Sequence, residues 1–280
     1  ALPAAPSAAR CAINPNPPGG GFGAPGPADL GGESARGTIT LEADELTLDS
    51  TASVQGTGTL TLRPADQTAT VSVGANTGAF PLTAATIAAL QDGFSMIHIG
   101  RANGSGAITV STAAFKDSVT IGNDDPSGTV SVTGALSTGS GTEAGTITLQ
   151  AGNSITLQAG SSITTQNRAV VLNAARSGAA GAVVLSNTSI TTNGGALTMG
   201  GGVPSTGDTP TVPAIGTSST PAGISIAGST LLTGGGAVTL RGKGDTGQTN
   251  GHGIALTGST VMNAGTGAIL LDGVAHSGTG

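Results

Sequence analysis

From Arg36 onward the chain alternates between apolar and polar positions in short runs broken by Gly. The runs begin at Ile39-Thr40-Leu41 and Leu46-Thr47-Leu48 and return as Leu60/Leu62, Val71/Val73, Ile97/Ile99, Ile108/Val110, Val119/Ile121 and Val130/Val132. They continue through Ile147/Leu149, Ile155/Leu157, Val183/Leu185, Ile224/Ile226, Val238/Leu240, Ile254/Leu256 and Ile269/Leu271. A period of two puts both aliphatics of a doublet on one side of an extended strand. The pattern therefore predicts many short strands, each turning one aliphatic pair inward.

A longer repeat lies over this alternation. Ser162-Ile163-Thr164-Thr165 through Ala169-Val170-Val171-Leu172 aligns without a gap on Ser189-Ile190-Thr191-Thr192 through Ala196-Leu197-Thr198-Met199. It aligns equally on Thr230-Leu231-Leu232-Thr233 through Ala237-Val238-Thr239-Leu240, and Thr260 to Leu271 follows with one inserted residue. Such repetition indicates stacked units. A two-sheet sandwich, whose sheets stand about 10 Å apart, would be poorly filled by these small side chains. A coil of parallel strands lays each aliphatic over its equivalent about 4.8 Å away. The predicted fold is all-β: a right-handed parallel β-helix, or β-solenoid, its hand set by the rule for parallel crossovers. Two or three strands per turn would give about 10 to 12 rungs.

Three departures from the pattern divide the chain. Residues 1–34 hold Pro3, Pro6, Pro15, Pro17, Pro18, Pro25 and Pro27 with Gly19-Gly20-Gly21, the composition of an arm or linker; the solenoid body then runs over 35–280. Loop insertions are predicted near 202–222, which contains Pro204, Pro210, Pro213 and Pro221, and near 241–251. Over 83–92 the alternation gives way to a short lateral helix, with Thr83 as N-cap, Ile87 and Leu90 on one face and Gly93 as a left-handed cap. Phe80 and Phe94 flank it and would pin it to the body.

Composition sharpens this picture. With 49 Gly, 4 Phe, no Trp and no Tyr in 280 residues, the core must be aliphatic. Only 9% of residues are charged, and mean hydropathy is +0.19, unlike the charge-rich, apolar-poor chains that stay disordered. A net charge of −6 spread thinly leaves no cationic footprint, so nucleic acid is not an expected partner. Ala1 to Arg10 holds no apolar run for a signal sequence, so either a leader has been removed or the piece belongs to something longer. The lone Cys11 cannot form an internal disulfide; it either links two copies or stays unpaired in the arm. A lipoprotein attachment does not fit, because Arg10 precedes it.

Chemistry is sparse. Asp124-Asp125, before Pro126, is the one adjacent pair of aspartates in the body, in a setting where turn geometry alone favours Asp. Glu42, Asp44, Glu45 and Asp49 read as a solvated acidic face, and His98, His252 and His276 as separate surface histidines. Thr-x-Thr pairs at Thr38/Thr40, Thr59/Thr61 and Thr146/Thr148 are too irregular for a continuous ice-binding ladder. No catalytic, cofactor or metal residue is assigned, no cofactor is expected, and the reading is of a non-enzyme; a carbohydrate-active β-helix using Asp124 or Asp125 is the enzymatic alternative.

Four stretches resemble a known family. Thr38 to Leu62, then Leu82 to Ile99 with Ala88-Ala89-Leu90-Gln91-Asp92-Gly93-Phe94 and Gly100-Arg101-Ala102, is similar to repeats of giant secreted exoproteins of the filamentous-haemagglutinin type. Gly253-Ile254-Ala255-Leu256 and Ala268-Ile269-Leu270-Leu271-Asp272-Gly273 resemble the same proteins, so the likeness spans Gly37 to Gly273. It implies an extracellular or cell-surface adhesin, an outer-membrane export partner, and roles in adhesion, biofilm or contact-dependent competition. Asn14-Pro15-Asn16-Pro17 is faintly similar to a secretion-domain motif of that family but reads as linker. No capping helix follows the last rung, so the expected partner is the chain itself, stacked end to end with the arm lying along a neighbour. A monomeric segment binding a host or neighbouring cell surface, or a glycan, through the loops is the rival.

Overall fold

The computed structural model describes residues 10–12, 29–31, 38–48, 51–203, 209–248 and 251–276. Over these the chain is a parallel β-helix with three strands per turn, built as sheets of ten, eight and six strands. The first face stacks Ile39–Ala43, Thr59–Pro64, Met96–Ile99, Val119–Gly122, Ile147–Gln150, Val170–Ala174, Leu197–Gly201, Val238–Lys243 and Ile269–Val274, and Ala214–Ile215 is the tenth strand of its sheet. That succession counts nine turns, below the expected range, because insertions lengthen several of them.

Register explains why the doublets recur. On the first face Ile39, Leu60, Ile97, Val119, Ile147, Val170, Leu197, Val238 and Ile269 form one inward column. Leu41, Leu62, Ile99, Ile121, Leu149, Leu172, Met199, Leu240 and Leu271 form the next. Two further columns run up the second face, from Val71 and Val73 through Ile108/Val110, Val130/Val132, Ile155/Leu157, Val183/Leu185 and Ile224/Ile226 to Ile254/Leu256. The third face adds Leu136, Ile163, Ile190, Leu231 and Val261. Each fully buried aliphatic contributes about 1.5–3 kcal/mol, so the columns carry the stability of the coil.

The corners are polar and buried. Between the second and third faces, Gly160, Asn187, Gly228 and Gly258 each take positive φ, turning the chain sharply. A hydroxyl ladder follows them: Thr188 donates to the Ser161 carbonyl at 2.6 Å, Thr188 N–H to Ser229 Oγ at 3.2 Å, and Ser229 N–H to Ser259 Oγ at 3.1 Å. Small residues are needed at the corner between the third and first faces, where turns come within backbone contact of one another. At Gly195, an added Cβ would lie 2.0 Å from the Arg168 carbonyl oxygen.

One turn breaks the order of the stack. After Thr59–Pro64 the chain forms Val71–Val73, which pairs with Ile108–Val110, and then steps back so that Phe80–Leu82 pairs with the other edge of Val71–Val73. The helix α1 (Ala84–Ala88) follows, capped by Thr83, whose hydroxyl accepts from Thr86 N–H at 3.2 Å. It stops short of the predicted Gly93 terminus. Leu90 instead enters a parallel bridge with Val54, Val54 N–H donating to the Ala89 carbonyl and Gln91 N–H to the Val54 carbonyl. Sheet pairing thus takes over the backbone groups that a longer helix would use. Phe80, Ile87, Leu90 and Phe94 are all buried, as expected of a pinned helix.

Two segments differ from the sequence reading. Inside 1–34, Arg10–Ala12 pairs with Glu45–Thr47 and Asp29–Gly31 with Ser53–Gln55, so the Pro-free parts of the arm begin the coil. The Asn14-Pro15-Asn16-Pro17 stretch lies outside the described residues. The 202–222 insertion is not a free lateral loop: Val212 bridges Gly201, and Ala214–Ile215 pairs with Gly242 and Lys243, burying Ala214 completely. The shorter insertion starts later than 241, since its strand runs on to Lys243.

Candidate functional site

The strongest surface feature is the last rung. Ile269 is 48% exposed, Leu271 46%, Leu270 45% and Val274 51%, while the equivalents of Ile269 and Leu271 one turn below, Val238 and Leu240, are fully buried. Leu256 and Met262 are exposed on the other two faces of the same end. The outer edge of Ile269–Val274 has no pairing strand among the described residues. Unpaired backbone beside exposed aliphatics is a template for another strand. The alternation of the sequence predicts inward positions here, and nothing in the last rung distinguishes them from buried ones.

A polar groove crosses the outer side of the first face. It encloses about 270 Å³ and is lined by Thr61, Arg63, His98, Arg101, Thr120, Asp124 and Gln150. Thr61, His98 and Thr120 in its lining belong to the outward column Thr40, Thr61, His98, Thr120, Thr148, Val171, Thr198, Thr239 and Leu270, where His98, Val171 and Leu270 interrupt the hydroxyls. Its charges are already engaged. Glu42 accepts from Arg63 Nε at 2.6 Å and from Arg101 Nη1 at 3.2 Å, and Arg101 also caps the Pro64 and Ala65 carbonyls. The Arg63 hydrogen bond, with a smaller contribution from Arg101, holds the Glu42 carboxyl below its ordinary range.

The acidic pair is split. Arg176 grips Asp124 with both Nε and Nη2, whereas Asp125 accepts from the Ser127 N–H and hydroxyl, which lower its pKa. Asp125 thus closes its own turn, as its sequence context suggests. Neither ion pair was visible in the sequence, since Arg63 and Arg176 lie 21 and 52 residues from their partners. For Glu42 and Arg63 the signal was present in the register, which places them side by side.

The remaining candidates stay apart. His98 sits half-buried in the groove, His252 is exposed, and His276 donates its backbone N–H to the Gly251 carbonyl. Asp44 and Glu45 line a separate concavity with Pro64, Asp66 and Pro81, while Asp49 lies outside the described residues. Cys11 is in register with Leu46. Among the described residues no three His, Cys, Asp or Glu gather as a metal-binding group. Among them, too, no helix is long and apolar enough to cross a membrane.

Sequence reasoning missed Asp117. This carboxyl is buried, its Oδ1 accepting from Gly93 N–H at 3.0 Å and its Oδ2 lacking a partner. Burial, opposed by the Gly93 and Phe94 N–H groups and reinforced by nearby Asp92, raises its pKa. It anchors the segment after α1 and takes no part in the groove. Comparison of the chain with protein-family models, with curated proteins and with solved structures gives no match.

Proposed function

We propose that this chain is a structural and adhesive β-solenoid of the bacterial surface or extracellular space, joining end to end into a fibre or serving as one segment of a giant adhesin. The observation that carries this reading is the last described rung, where Ile269 and Leu271 stand half exposed above Val238 and Leu240, which are fully buried. Patches of this kind mark association surfaces. A stacked rung would bury these aliphatics and pair the strand edge at once. The likeness to filamentous-haemagglutinin exoproteins supports the location and implies an outer-membrane export partner.

A second reading treats the chain as a monomer that grips a cell surface or glycan through its insertions. Val203, 66% exposed, and Val212, 47% exposed, favour it, both lying in the 202–222 insertion. The enzymatic alternative gains little support from Asp124 and Asp125, which are held by Arg176 and Ser127.

Electron microscopy and light scattering of the purified chain test the first reading. Rods that lengthen with protein concentration are expected. A monodisperse monomer at every concentration would reject it, and loss of cell attachment on trimming the insertion would then favour the second.

A further inference from the structure

The polar groove on the outer side of the first face owes its shape to backbone packing. Continued along the outward column that holds Glu42 and Arg63, the register brings Gly100 and Gly122 before Gln150 supplies a side chain again. A Cβ added to Gly100 would stand 2.2 Å from the Gly122 carbonyl oxygen, and one added to Gly122 2.3 Å from that of Gln150. Only glycine fits either position, so two successive turns leave a gap in the column. Arg63 lines the gap at one end and Asp124, just past Gly122, lies two turns farther along. At about 4.8 Å per turn the separation is about 10 Å, which one six-membered ring spans with a hydrogen bond at each end. The volume of about 270 Å³ lies just below the roughly 300–1,000 Å³ of sites for drug-sized molecules, so the groove holds a single ring.

The groups around the gap suit one negative charge and several hydroxyls. Among the described residues, the charged ones that line it are Arg63, Arg101 and Asp124; their partners Glu42 and Arg176 stand outside the lining. Two guanidinium groups thus share the single Glu42 carboxylate. Asp66, the other carboxylate near Arg101, accepts from the Thr68 N–H and hydroxyl and lines the neighbouring concavity. Arg101 is fixed by the Pro64 and Ala65 carbonyls with its side chain 14% exposed, whereas the Arg63 side chain is 39% exposed and open to a further acceptor. Thr61 and His98 are half-buried neighbours in one column, and neither the hydroxyl nor the ring has a hydrogen-bond partner among the described residues. Half-buried polar groups without partners gain from a ligand that pairs with them.

We infer that this groove binds a hexuronate ring, one unit of an acidic polysaccharide, with the sugar carboxylate on Arg63, Thr61 and His98 beneath the ring, and neighbouring hydroxyls donating to Asp124. A neutral sugar leaves Arg63 without its second acceptor. A small inorganic anion reaches neither Thr61 nor Asp124 from Arg63, and the Asp124 carboxylate repels it. Apolar ligands find little, since Ile99 and Ala102 are the only larger-than-glycine apolar residues in the described lining. The site is distinct from the 202–222 insertion, none of whose described residues lines it, and it does not depend on chains joining end to end.

The test is nuclear magnetic resonance of the histidine ring signals during titration with sodium glucuronate, with glucose, acetate and inorganic phosphate as controls at constant ionic strength. His252 and His276, outside the lining, are internal references. Glucuronate should shift the His98 signals alone and saturably, with Kd of about 1 mM, and each control should bind at least about tenfold more weakly. Arg63→Gln should weaken glucuronate binding about tenfold, and Arg63→Lys less, because the ammonium keeps the charge but loses the fork. Thr61→Val, which removes one hydroxyl without changing shape, should weaken it about threefold and carries the test if circular dichroism shows the Arg63 variants to be unfolded. Equal binding of glucose would overturn the role of Arg63, and equal binding of acetate or phosphate would reduce the groove to an anion site and overturn the sugar. No shift of the His98 signals at about 50 mM glucuronate, or unchanged affinity in folded Arg63→Gln and Thr61→Val, would overturn the site itself. None of these outcomes bears on end-to-end assembly.

Discussion

Arg176 and Asp124 meet as a two-pronged ion pair across two turns of the coil, Nε to Oδ1 at 2.5 Å and Nη2 to Oδ2 at 3.2 Å. The Arg176 side chain is only 10% exposed, so the pair lies where solvent screens it weakly. It ties the turn after Val119–Gly122 to the turn after Val170–Ala174. Arg176→Ala is expected to lower unfolding free energy by about 1–3 kcal/mol, and Arg176→Lys to restore only part of it, because one ammonium cannot serve both oxygens. Denaturant unfolding of the two variants checks this; equal loss in both would refute the two-pronged role.

The inward columns make a sharper contrast. Leu172 is fully buried between Leu149 and Met199, whereas Leu271 ends the same column at 46% exposed. Leu172→Ala should cost about 2–5 kcal/mol, and Leu271→Ala less than about 1 kcal/mol in dilute solution. Thermal unfolding at low concentration measures both. Comparable losses would mean that the last rung is covered.

Among the described residues, Asn173 is the least satisfied buried side chain. It is fully buried between Gln150 and Gly200, and neither of its amide atoms has a hydrogen-bond partner. An unpaired buried polar group costs about 1–3 kcal/mol, so Asn173→Leu, of similar shape, should stabilise the chain. A fall in melting temperature for this variant would show that the amide has a role beyond packing.

At the corner between the second and third faces, Asn187 takes φ 48° where the turns on either side use Gly160 and Gly228. Asn187→Gly should change stability by a few tenths of a kcal/mol, while Asn187→Val should lose about 1–2 kcal/mol because a branched side chain is strained there. Calorimetry distinguishes the pair.

Asp117 sets a dependence on acidity. Its folded-state pKa is raised, chiefly by burial, so its ionisation works against the fold. The stability associated with this group is fully present below its unfolded-state pKa and is lost as pH rises through the folded-state value. Asp117→Asn keeps an oxygen to accept from Gly93 and should flatten that part of the curve of stability against pH. An unchanged curve would place the titration elsewhere.

Much of the coil could be read from the chain. The ungapped match of Ser162 to Leu172 with Ser189 to Met199 and Thr230 to Leu240 reproduces the observed register position for position. Thr83 was identifiable as a cap because capping needs only the residues next to it in sequence. The helix end was not, since Leu90 is claimed by Val54, 36 residues earlier. The Glu42, Arg63 and Arg101 cluster escaped for the same reason.

The sequence by itself determined the repeating unit: parallel stacking sets like residues over like, so each turn must write the same aliphatic doublet into the chain. Only the tertiary structure decided how the turns close, because the insertions between doublets differ in length and leave no periodic mark. It placed Phe80–Leu82 behind Val71–Val73, drew the Pro-rich insertion into the sheet through Ala214–Ile215, and brought Arg176 to Asp124. It also left Ile269 and Leu271 half exposed. An inward position is apolar whether or not another turn covers it, and covering is a property of neighbours in space.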